Sequence, residues 1–408
     1  MTERPLTIMI GADTYPPDIN GAAQFGQRLA HAMRDRGHSV HVVAANPNER
    51  KTLTRTVDGI VEHRLFSHKA LTHPYIRICA PWDIWYRVGK ILDEVQPDVV
   101  HVQCHYIIGR VLILQARRRG IRVVATNHFM PENLDPFLPF PDSVNRGIAQ
   151  ASWKDMRYIL GQAQVVTTPT PIGAKAMKES GGFKKPVMPV SNGIDFAHYE
   201  PKTEAEKRAS ADQRRIFFAG RLAVEKNIDV LIEALSLLPA SCADVVLEVA
   251  GTGEILDALQ KKAQDCGVSE RVKFLGFVSD EELRAGYLRA SVFCQPGTAE
   301  LQSLVSLEAM SASCPVVLAN ALALPHLVDE GHNGFLFEPG NATDLAAKLA
   351  YILDLPEQER EAMGERSHEM VKAHAAEKTW RTFESLYESN ELYYDFVTSQ
   401  AGGNPRVN

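Results

Sequence analysis

The 408-residue chain is predicted to be an α/β protein with two doubly wound, parallel-sheet domains that face each other across a cleft. Short apolar, β-branched runs alternate with helix-length amphipathic stretches, and this alternation is typical of βαβ units. The alternation starts again after a turn-prone connector at residues 189–195 (PVSNGID). The length is sufficient for two cores of ordinary size.

The first domain is predicted to span residues 1–190. Its runs are apolar on both faces, as is typical of central parallel strands covered by helices. The predicted strands are residues 6–10, 39–44, 98–103, 122–126 and 164–167. A helix over residues 23–36 is predicted to end at Gly37, because glycine readily adopts the left-handed backbone that closes a helix.

The second domain, residues 191–378, repeats the pattern. Its predicted strands are residues 215–219, 245–250, 272–275, 292–294 and 315–319. A last helix over about residues 379–395 carries Trp380, Phe383 and Tyr387 at helical spacing, so that its apolar face needs a partner. The segment 379–398 is therefore predicted to return to the first domain, and residues 399–408 are expected to form a flexible tail.

The composition, with 45% apolar and 23% charged residues, is that of a soluble globular protein. No apolar run approaches the roughly 20 residues that a membrane span needs, and the first residues look like a strand rather than a secretory signal. The six cysteines form no C-x-x-C pair, which indicates reduced core residues. A cytoplasmic location is expected.

The charge is distributed unevenly. Up to Pro189 there are 24 lysines and arginines against 16 aspartates and glutamates, whereas the remainder has 20 against 34. A basic first domain suggests an anionic partner such as a membrane surface, which would make the protein peripheral on the inner face of the membrane. A chance surface bias explains the same counts, and no nucleic-acid partner is expected.

Two glutamates, Glu300 and Glu308, stand eight positions apart. Glu300 lies in a loop after the predicted strand 292–294, and Glu308 lies about two turns into an apolar stretch that is predicted to be a buried helix. At the carboxyl edge of a parallel sheet, two such carboxylates can bind two hydroxyl-bearing parts of one ligand, such as the ribose and hexose of a sugar nucleotide. The spacing alone favours two solvated glutamates on an ordinary helix, and only the neighbouring motifs reverse that preference.

Two cations, Arg221 and Lys226, belong to the loop between the predicted strand 215–219 and the next helix. Cations beside a helix N-terminus suit a diphosphate and would stabilise the charge on a departing nucleoside diphosphate. In A-G-T-G-E (residues 250–254), Gly251 and Gly253 allow a backbone to approach a ligand closely. Each signal is weak by itself.

Taken in order, these motifs resemble the nucleotide-binding half of the family-four retaining glycosyltransferases. The matching segments are G-R-L-x-x-E-K (220–226), G-T-G (251–253), F-L-G-F-V (274–278) and E-L-Q-S-L-V-S-L-E-A-M (300–310). The first half agrees through P-P-D-I-N-G-A-A (16–23) and L-A-x-x-M-x-x-R-G-H (29–38). The resemblance covers about residues 6–390 and implies the GT-B fold of two Rossmann-like domains.

The resemblance also implies roles for individual residues. Glu308 corresponds to the ligand of the ribose diol, and Glu300 corresponds to the carboxylate that holds the hydroxyls of the donor sugar. Arg221 and Lys226 correspond to the pyrophosphate clamp. His128, which follows the predicted strand 122–126, corresponds to the active-site histidine that contacts the transferred sugar.

Further positions are implied to contact the nucleotide. Gly21 resembles the glycine whose backbone meets the donor phosphates across the cleft, although the family commonly has two glycines where this chain has Asn20 and Gly21. The other implied positions are Gly251, Phe277, Leu304 and Val305. After Glu300 many members have Gly-Phe-Gly; the Leu-Gln-Ser of this chain, with Gln302, resembles members that act on diacylglycerol and related lipids.

The predicted activity is transfer of a hexosyl group, with retention of configuration, from a UDP-hexose to a hydroxyl of a lipid or glycolipid. No metal or cofactor is expected, because the chain has no Asp-x-Asp motif and no cluster among its 14 histidines. Aromatic stretches at 73–86 and 137–140 suit a lipid interface or an acceptor groove, but also a core. A GDP-mannose donor, a small polar acceptor (an inositol phosphate or a thiol precursor), a phosphorylase or epimerase, and a non-catalytic sugar-nucleotide-binding protein remain alternatives.

Overall fold

The structure is a computed structural model, and it describes residues 4–18, 20–47, 51–69, 77–131, 140–203, 206 and 213–400. The chain forms two compact units. Unit 1 comprises Met1–Ser191 together with Lys378–Asn408, and unit 2 comprises Asn192–Glu377.

Unit 1 is built on an eight-stranded sheet in the order β10-β9-β8-β7-β1-β2-β4-β3. Its strands are β1 (Thr7–Ala12), β2 (Ser39–Ala45), β3 (Leu53–Val57), β4 (Ile60–Leu65), β7 (Val99–Val102), β8 (Arg122–Thr126), β9 (Val165–Thr168) and β10 (Met188–Pro189). All neighbours are parallel except β3 and β4. A separate antiparallel ribbon consists of β5 (His68–Lys69) and β6 (Arg77–Ile78).

The hairpin of β3 and β4 was not predicted from the sequence. Its turn consists of Asp58 and Gly59, which both have positive φ angles of 49° and 77°. An Asp-Gly pair between two β-rich runs is a strong hairpin signal, because both turn residues must adopt that conformation. The signal was therefore present in the sequence.

The helices of unit 1 cover the sheet on its two faces, as the apolar strands require. They are Gly21–Asp35, Pro81–Val95, Ile107–Arg118, Asp142–Leu160, Pro171–Glu179, Ala376–Glu388 and Glu391–Gln400. The helix Gly21–Asp35 begins two residues before its predicted start, because the Asn20 side chain caps it by accepting the N–H of Ala23.

The predicted last helix is two helices rather than one. The guanidinium of Arg122 donates to the carbonyl oxygens of Leu386 (2.9 Å) and Ser389 (2.5 Å) and to Oδ1 of Asn390 (2.7 Å), so that it satisfies the carbonyl end of the first helix. The second helix continues to Gln400. Residues 399 and 400 of the predicted tail are therefore helical, and residues 401–408 lie outside the described residues.

Unit 2 is built on a six-stranded, fully parallel sheet in the order β13-β12-β11-β14-β15-β16. Its strands are β11 (Arg215–Ala219), β12 (Val246–Ala250), β13 (Val272–Gly276), β14 (Val292–Gln295), β15 (Val316–Ala319) and β16 (Gly334–Phe337). This is the Rossmann order 3-2-1-4-5-6. The predicted fold class, two doubly wound parallel-sheet domains, is confirmed.

Four helices of unit 2 connect successive strands from β11 to β15, and the others precede β11 or follow β16. The α-helices are Phe196–Tyr199, Ile228–Ser236, Leu256–Asp265, Asp280–Arg289, Leu304–Ser311, Ala342–Asp354 and Glu357–Val371. Short 3₁₀ turns are Val224–Lys226, Ala240–Cys242, Ser269–Arg271, Pro325–Leu327 and Lys372–His374.

The cysteines and the helices agree with two further predictions. All six cysteines are free thiols, and Cys79, Cys242, Cys294 and Cys314 are buried. None of the helices in the described ranges has both the length and the apolarity to cross a membrane.

Candidate functional site

The carboxyl edge of the unit 2 sheet carries the loops that hold Arg221, Lys226 and Glu300. In a doubly wound sheet the chain leaves the first strand in opposite directions, and ligands bind where the loops diverge. Here that switch point lies between β11 and β14. Arg221 and Lys226 follow β11, and Glu300 follows β14.

Lys226 and Glu300 form a direct ion pair between these two loops, although they are 74 positions apart in the chain. Their side chains are largely buried. The loops are also joined by Asn227, whose side-chain N–H groups donate to the carbonyl of Pro296 and to Oγ1 of Thr298, both at 3.3 Å. The cation and the carboxylate are therefore held in fixed positions.

Arg221 forms an ion pair with Glu225, which lies in the 3₁₀ turn Val224–Lys226 of the same loop. Both predicted cations thus have a carboxylate partner. A diphosphate that binds here must compete with Glu225 for Arg221 and with Glu300 for Lys226.

Glu308 lies in the helix Leu304–Ser311, and it is only 3% exposed. Its Oε2 accepts a hydrogen bond from the Tyr287 hydroxyl at 2.9 Å. The prediction that Glu308 lies about two turns into the helix was wrong. The helix begins at Leu304, capped by the Ser303 side chain, so that Glu308 lies one turn from its start. A buried carboxylate is costly unless it is paired, and the Tyr287 hydroxyl pairs with this one.

Leu304 and Val305 form the first turn of that helix, and Leu304 is buried whereas Val305 is partly buried. Phe277, by contrast, is 75% exposed. It follows β13, the strand next to β12, and its ring presents an apolar face to solvent at the carboxyl edge of the sheet.

The glycines after β12 are required by backbone packing. A Cβ on Gly251, which has a φ of +138°, would lie 1.9 Å from the carbonyl oxygen of Gly220. A Cβ on Gly253 would lie 2.0 Å from the carbonyl oxygen of Leu222. These two glycines let the loops after β11 and β12 pack together, which holds Arg221 in place.

His128 and Gly21 belong to unit 1. His128 follows β8, its ring centroid lies 4.7 Å from that of Phe25, and its Nε2 is buried without a hydrogen-bond partner among the described residues. Burial lowers the pKa of His128 to about 3, so the ring is neutral at pH 7. Gly21 is the exposed first residue of the helix that carries Phe25, and no atom lies within 4 Å of the position of a Cβ there.

Two buried glutamines at the same sheet edges were missed by the sequence analysis. Gln103 follows β7, which pairs with β1 at the switch point of unit 1, and Gln295 ends β14 at the switch point of unit 2. They are 2% and 0% exposed, and each has a side-chain nitrogen without a hydrogen-bond partner in the described part of the chain. A polar residue at the carboxyl end of an apolar strand was the available signal.

The aromatic stretch at 73–86 is only partly described, because residues 73–76 lie outside the described residues, as do residues 137–139 of the second stretch. Trp82 and Tyr86 are 81% and 76% exposed on one face of the helix Pro81–Val95, and Phe140 is 51% exposed. The alternative interpretation, that the aromatic stretches belong to a core, is therefore wrong for these three rings. The described residues contain no group of three or more histidine, cysteine, aspartate or glutamate side chains arranged to hold a metal ion.

The chain matches two family models that together span most of its length. Residues 19–198 match Glycosyltransferase Family 4, and residues 200–370 match Glycosyl transferases group 1.

Three relatives are similar over most of the chain. The sulfoquinovosyl transferase SQD2 of Arabidopsis thaliana is 24% identical, over 86% of this chain and 67% of that protein. A GDP-mannose-dependent alpha-mannosyltransferase of Corynebacterium glutamicum is 23% identical (92% and 86%). The alpha-monoglucosyldiacylglycerol synthase of Streptococcus pneumoniae is also 23% identical (96% and 88%).

Solved structures show the same fold. Sucrose-phosphate synthase from Thermosynechococcus elongatus aligns with a TM-score of 0.76 at 18% identity, over 94% of this chain and 98% of that one. Anabaena HepE in complex with UDP and glucose aligns with a TM-score of 0.73 at 19% identity, over 94% and 100%. With two Rossmann-like domains and a match to each half, the chain belongs to the family-four glycosyltransferases of the GT-B fold.

Proposed function

We propose that this glycosyltransferase moves a hexosyl group from a UDP-hexose to a hydroxyl of a lipid or glycolipid, with retention of the anomeric configuration and without a metal ion. The observation that carries the proposal is the fixed Lys226–Glu300 pair at the switch point of the unit 2 sheet, with Arg221 in the same loop. The buried Glu308 supplies a second carboxylate.

The donor is bound by carboxylates at its ribose and hexose ends and by cations at the diphosphate between them. Glu308 accepts from the ribose diol, and Glu300 accepts from hydroxyls of the hexose, since a carboxylate has several acceptor positions. Arg221 and Lys226 bind the diphosphate. The contact between Lys226 and Glu300 supports this assignment, because the diphosphate and the hexose of one donor are also adjacent.

During transfer, negative charge develops on the leaving diphosphate as its bond to the anomeric carbon breaks. Arg221 and Lys226 stabilise that charge without a metal, because preorganised cations act where charge appears. The leaving phosphate oxygen takes the proton of the attacking hydroxyl on the same face of the sugar. A double displacement is the alternative, and it would require Glu300 to attack the anomeric carbon instead of binding hydroxyls of the hexose.

The acceptor is proposed to be a lipid. Two of the relatives, the alpha-monoglucosyldiacylglycerol synthase and the sulfoquinovosyl transferase, support this by their names. The exposed rings of Trp82 and Tyr86 in basic unit 1 support a peripheral position on the inner face of a membrane.

A GDP-mannose donor is the second candidate. The relatives from Corynebacterium glutamicum and Mycolicibacterium smegmatis are GDP-mannose-dependent mannosyltransferases, with 23% and 27% identity to this chain. The carboxylates and cations of the unit 2 site recognise ribose, hexose and diphosphate, which both donors share.

The first experiment is a melting-temperature screen of the purified protein with UDP-, GDP- and ADP-sugars. A UDP-hexose is expected to raise the melting temperature most, because a ligand that binds only the folded state stabilises it. The stabilising donor is then mixed with diacylglycerol vesicles, with and without EDTA, and the product is examined by NMR. An α-linked glycolipid formed from an α-linked donor in EDTA supports the proposal.

Three other results would contradict parts of the proposed function. A larger shift with GDP-mannose favours the second candidate. Loss of product in EDTA contradicts metal independence. Donor binding without transfer to any lipid or small polar acceptor indicates a non-catalytic sugar-nucleotide-binding protein.

A further inference from the structure

Gln302 lies in the loop that carries Glu300, and its side chain is bonded inside unit 2. The residue is only 7% exposed. Its Oε1 accepts the backbone N–H of Asn192 at 2.8 Å, across 110 positions of the chain, and its Nε2 lies 3.4 Å from Nδ1 of His374. The Gln302 side chain therefore joins the Glu300 loop to two segments that are distant from this loop in sequence.

These two segments are the ones by which the chain enters and leaves unit 2, since Asn192 is the first residue of the unit and His374 lies close to its end. The segments are also paired with each other. The N–H of Ile194 donates to the carbonyl of His374, and the N–H of Ala376 donates to the carbonyl of Ile194, both at 2.9 Å. We call the two paired segments the connector pair: residues 192–194 and 374–376.

A carboxamide can bond to both segments of the connector pair at once. A backbone N–H is always a donor, so the bond to Asn192 identifies the Gln302 atom that faces it as the carbonyl oxygen of the amide. The amide NH₂ group then faces His374, whose Nδ1 is the acceptor. A methionine side chain has a similar length but only a weakly accepting sulfur, and it would leave the buried N–H of Asn192 unpaired.

The anchor acts close to the carboxylate of Glu300. The Glu300 side chain pairs with Lys226, and its backbone carbonyl accepts the N–H of Ala323 at 3.2 Å. Gln302 follows Glu300 by two positions, and so the backbone between the two residues is short. A shift of the Gln302 side chain therefore moves the backbone that directs the Glu300 carboxylate.

Glu308 has a separate support. It lies in the helix Leu304–Ser311, beyond the Ser303 cap, and accepts from the Tyr287 hydroxyl. Loss of the Gln302 anchor is therefore expected to disturb the carboxylate assigned to the hexose more than the carboxylate assigned to the ribose.

We propose that Gln302 is a positioning residue, which fixes the sugar-binding carboxylate of Glu300 by fastening its loop to the connector pair. This assignment deepens the proposed function and rests on it, because Glu300 binds the hexose there. Gln302 itself contacts neither the donor nor the acceptor.

The test compares Gln302→Met with a matched control, Asn333→Leu. Asn333 is also a buried carboxamide of unit 2, and its Oδ1 accepts the N–H of Asp329 at 2.7 Å while its Nδ2 donates to the carbonyl of Leu327 at 3.0 Å. Each variant loses the hydrogen bonds of one buried carboxamide, and both are expected to lower the melting temperature. Only Gln302→Met is expected to alter binding of the donor.

Binding of UDP-glucose and of UDP is measured by calorimetry, with GDP-mannose and GDP in their place if the donor screen selects them. Gln302→Met is expected to weaken binding of the sugar nucleotide about tenfold and binding of the bare nucleotide less than about twofold, since two hydrogen bonds hold the loop. Asn333→Leu is expected to keep the wild-type ratio of the two affinities. A wild-type ratio in Gln302→Met, or the same change of ratio in both variants, would overturn the inference.

Amide hydrogen exchange of the ligand-free protein is the second measurement. Gln302→Met is expected to speed exchange at the N–H of Asn192 and in the loop 296–303 by about tenfold, whereas Asn333→Leu leaves both at wild-type rates. Wild-type rates in the loop of Gln302→Met would overturn the inference, because they show that the loop is held without the amide. If Gln302→Met does not fold, His374→Phe keeps the Asn192 bond and is expected to show the same selective changes at about threefold.

The absence of these changes in His374→Phe overturns the inference in that case. A wild-type protein that binds no nucleotide sugar contradicts the proposed function instead. The exchange rates of the loop in Gln302→Met then still decide whether Gln302 fastens it to the connector pair.

Discussion

Glu308 is the residue whose burial and identity conflict most with a purely structural role. It lies almost entirely inside unit 2 and accepts from Tyr287. A carboxylate has about four acceptor positions, and the Tyr287 hydroxyl donates to one oxygen of this one. A ribose diol brings two hydroxyl groups to such an acceptor.

Glu308→Ala is expected to weaken binding of the bare nucleoside diphosphate by about 10- to 100-fold, since a hydrogen bond to a charged group contributes about 1.5–3 kcal/mol. Calorimetric titration with UDP or GDP measures the loss. Tyr287→Phe serves as the control, because it removes the hydroxyl that orients the carboxylate but keeps its charge, and a smaller effect is expected. Wild-type affinity in Glu308→Ala would remove this residue from the nucleotide site.

His128 is neutral and buried, and the resemblance implies that it contacts the transferred sugar. His128→Ala is therefore expected to lower kcat more than it weakens donor binding, by about 100-fold or more for the rate. Steady-state kinetics with the identified donor, combined with calorimetry, separates the two quantities. An unaltered kcat would exclude His128 from the active site.

At the scale of elements, the loops after β11 and β12 form one packed unit. The N–H of Gly220 donates to the carbonyl of Ala250 at 3.0 Å, and the N–H of Leu222 donates to that of Thr252 at 2.9 Å. The missing side chain of Gly251 permits this approach. The position of Arg221 thus depends on a glycine 30 residues further along the chain.

Gly251→Ala is expected to destabilise unit 2 by about 3 kcal/mol or more, because the new Cβ overlaps a carbonyl oxygen and the backbone has a positive φ. Gly267→Ala is the matched control. Gly267 also has a positive φ, of 68°, but nothing lies near its Cβ position, and a cost of only about 1 kcal/mol is expected. Denaturant unfolding measures both, and equal costs would show that the loop contact contributes nothing.

The helix Ala376–Glu388 shows how an element distant in sequence completes unit 1. The Tyr387 hydroxyl lies 2.6 Å from Nδ1 of His101, across 286 positions, and Nε2 of His101 lies 2.7 Å from Oγ1 of Thr126. Phe383 of the same helix is fully buried. The sequence predicted the apolar face of this helix, whereas its partners on β7 and β8 depend on the folded sheet.

At the scale of the whole molecule, desolvation lowers the pKa of four histidines of unit 1 to about 4 or below. The values are about 4 for His63 and His105 and about 3 for His101 and His128. Between these values and about 6.5 the unfolded chain binds more protons than the folded one, and so stability falls as the pH falls through that window. Asp13 acts in the opposite sense below pH 6, because burial raises its pKa to about 6.

Unit 1 is therefore expected to lose stability between pH 7 and pH 5, because these four histidines and His41, whose pKa is also lowered, outweigh Asp13 and Asp18, whose pKa is raised. The loss is at most about 1.4 kcal/mol per pH unit and histidine. All four tryptophans, at 82, 85, 153 and 380, belong to unit 1, so tryptophan fluorescence during denaturation reports on it selectively. His101→Gln is expected to flatten the pH dependence, and equal stability at both pH values would contradict the argument.

The exposed rings of Trp82 and Tyr86 combine with the net basic charge of unit 1. Trp85 lies on the same helix as Trp82 and Tyr86. The guanidinium carbon of the exposed Arg118 lies 4.7 Å from the centroid of the Trp85 ring. Aromatic rings and basic groups together favour binding to an anionic bilayer.

Binding to vesicles that contain anionic lipid is expected to weaken steeply as the salt concentration rises, because exposed charges are screened. The double variant with Trp82→Ser and Tyr86→Ser is expected to bind these vesicles about tenfold or more weakly than wild type in a sedimentation assay. Tyr351→Ser, a 57% exposed tyrosine of unit 2, is the control. Binding that is absent or indifferent to salt would favour a soluble acceptor.

The sequence by itself determined the two runs of alternating strands and helices, the order of the motifs, and the family to which they belong. These follow from local patterns, because apolar periodicity and glycine position are properties of short segments. The tertiary structure alone decided that Lys226 meets Glu300 and that Gln103 is buried without a partner. Strand order and burial arise from contacts between residues far apart in the chain, and no local pattern encodes them.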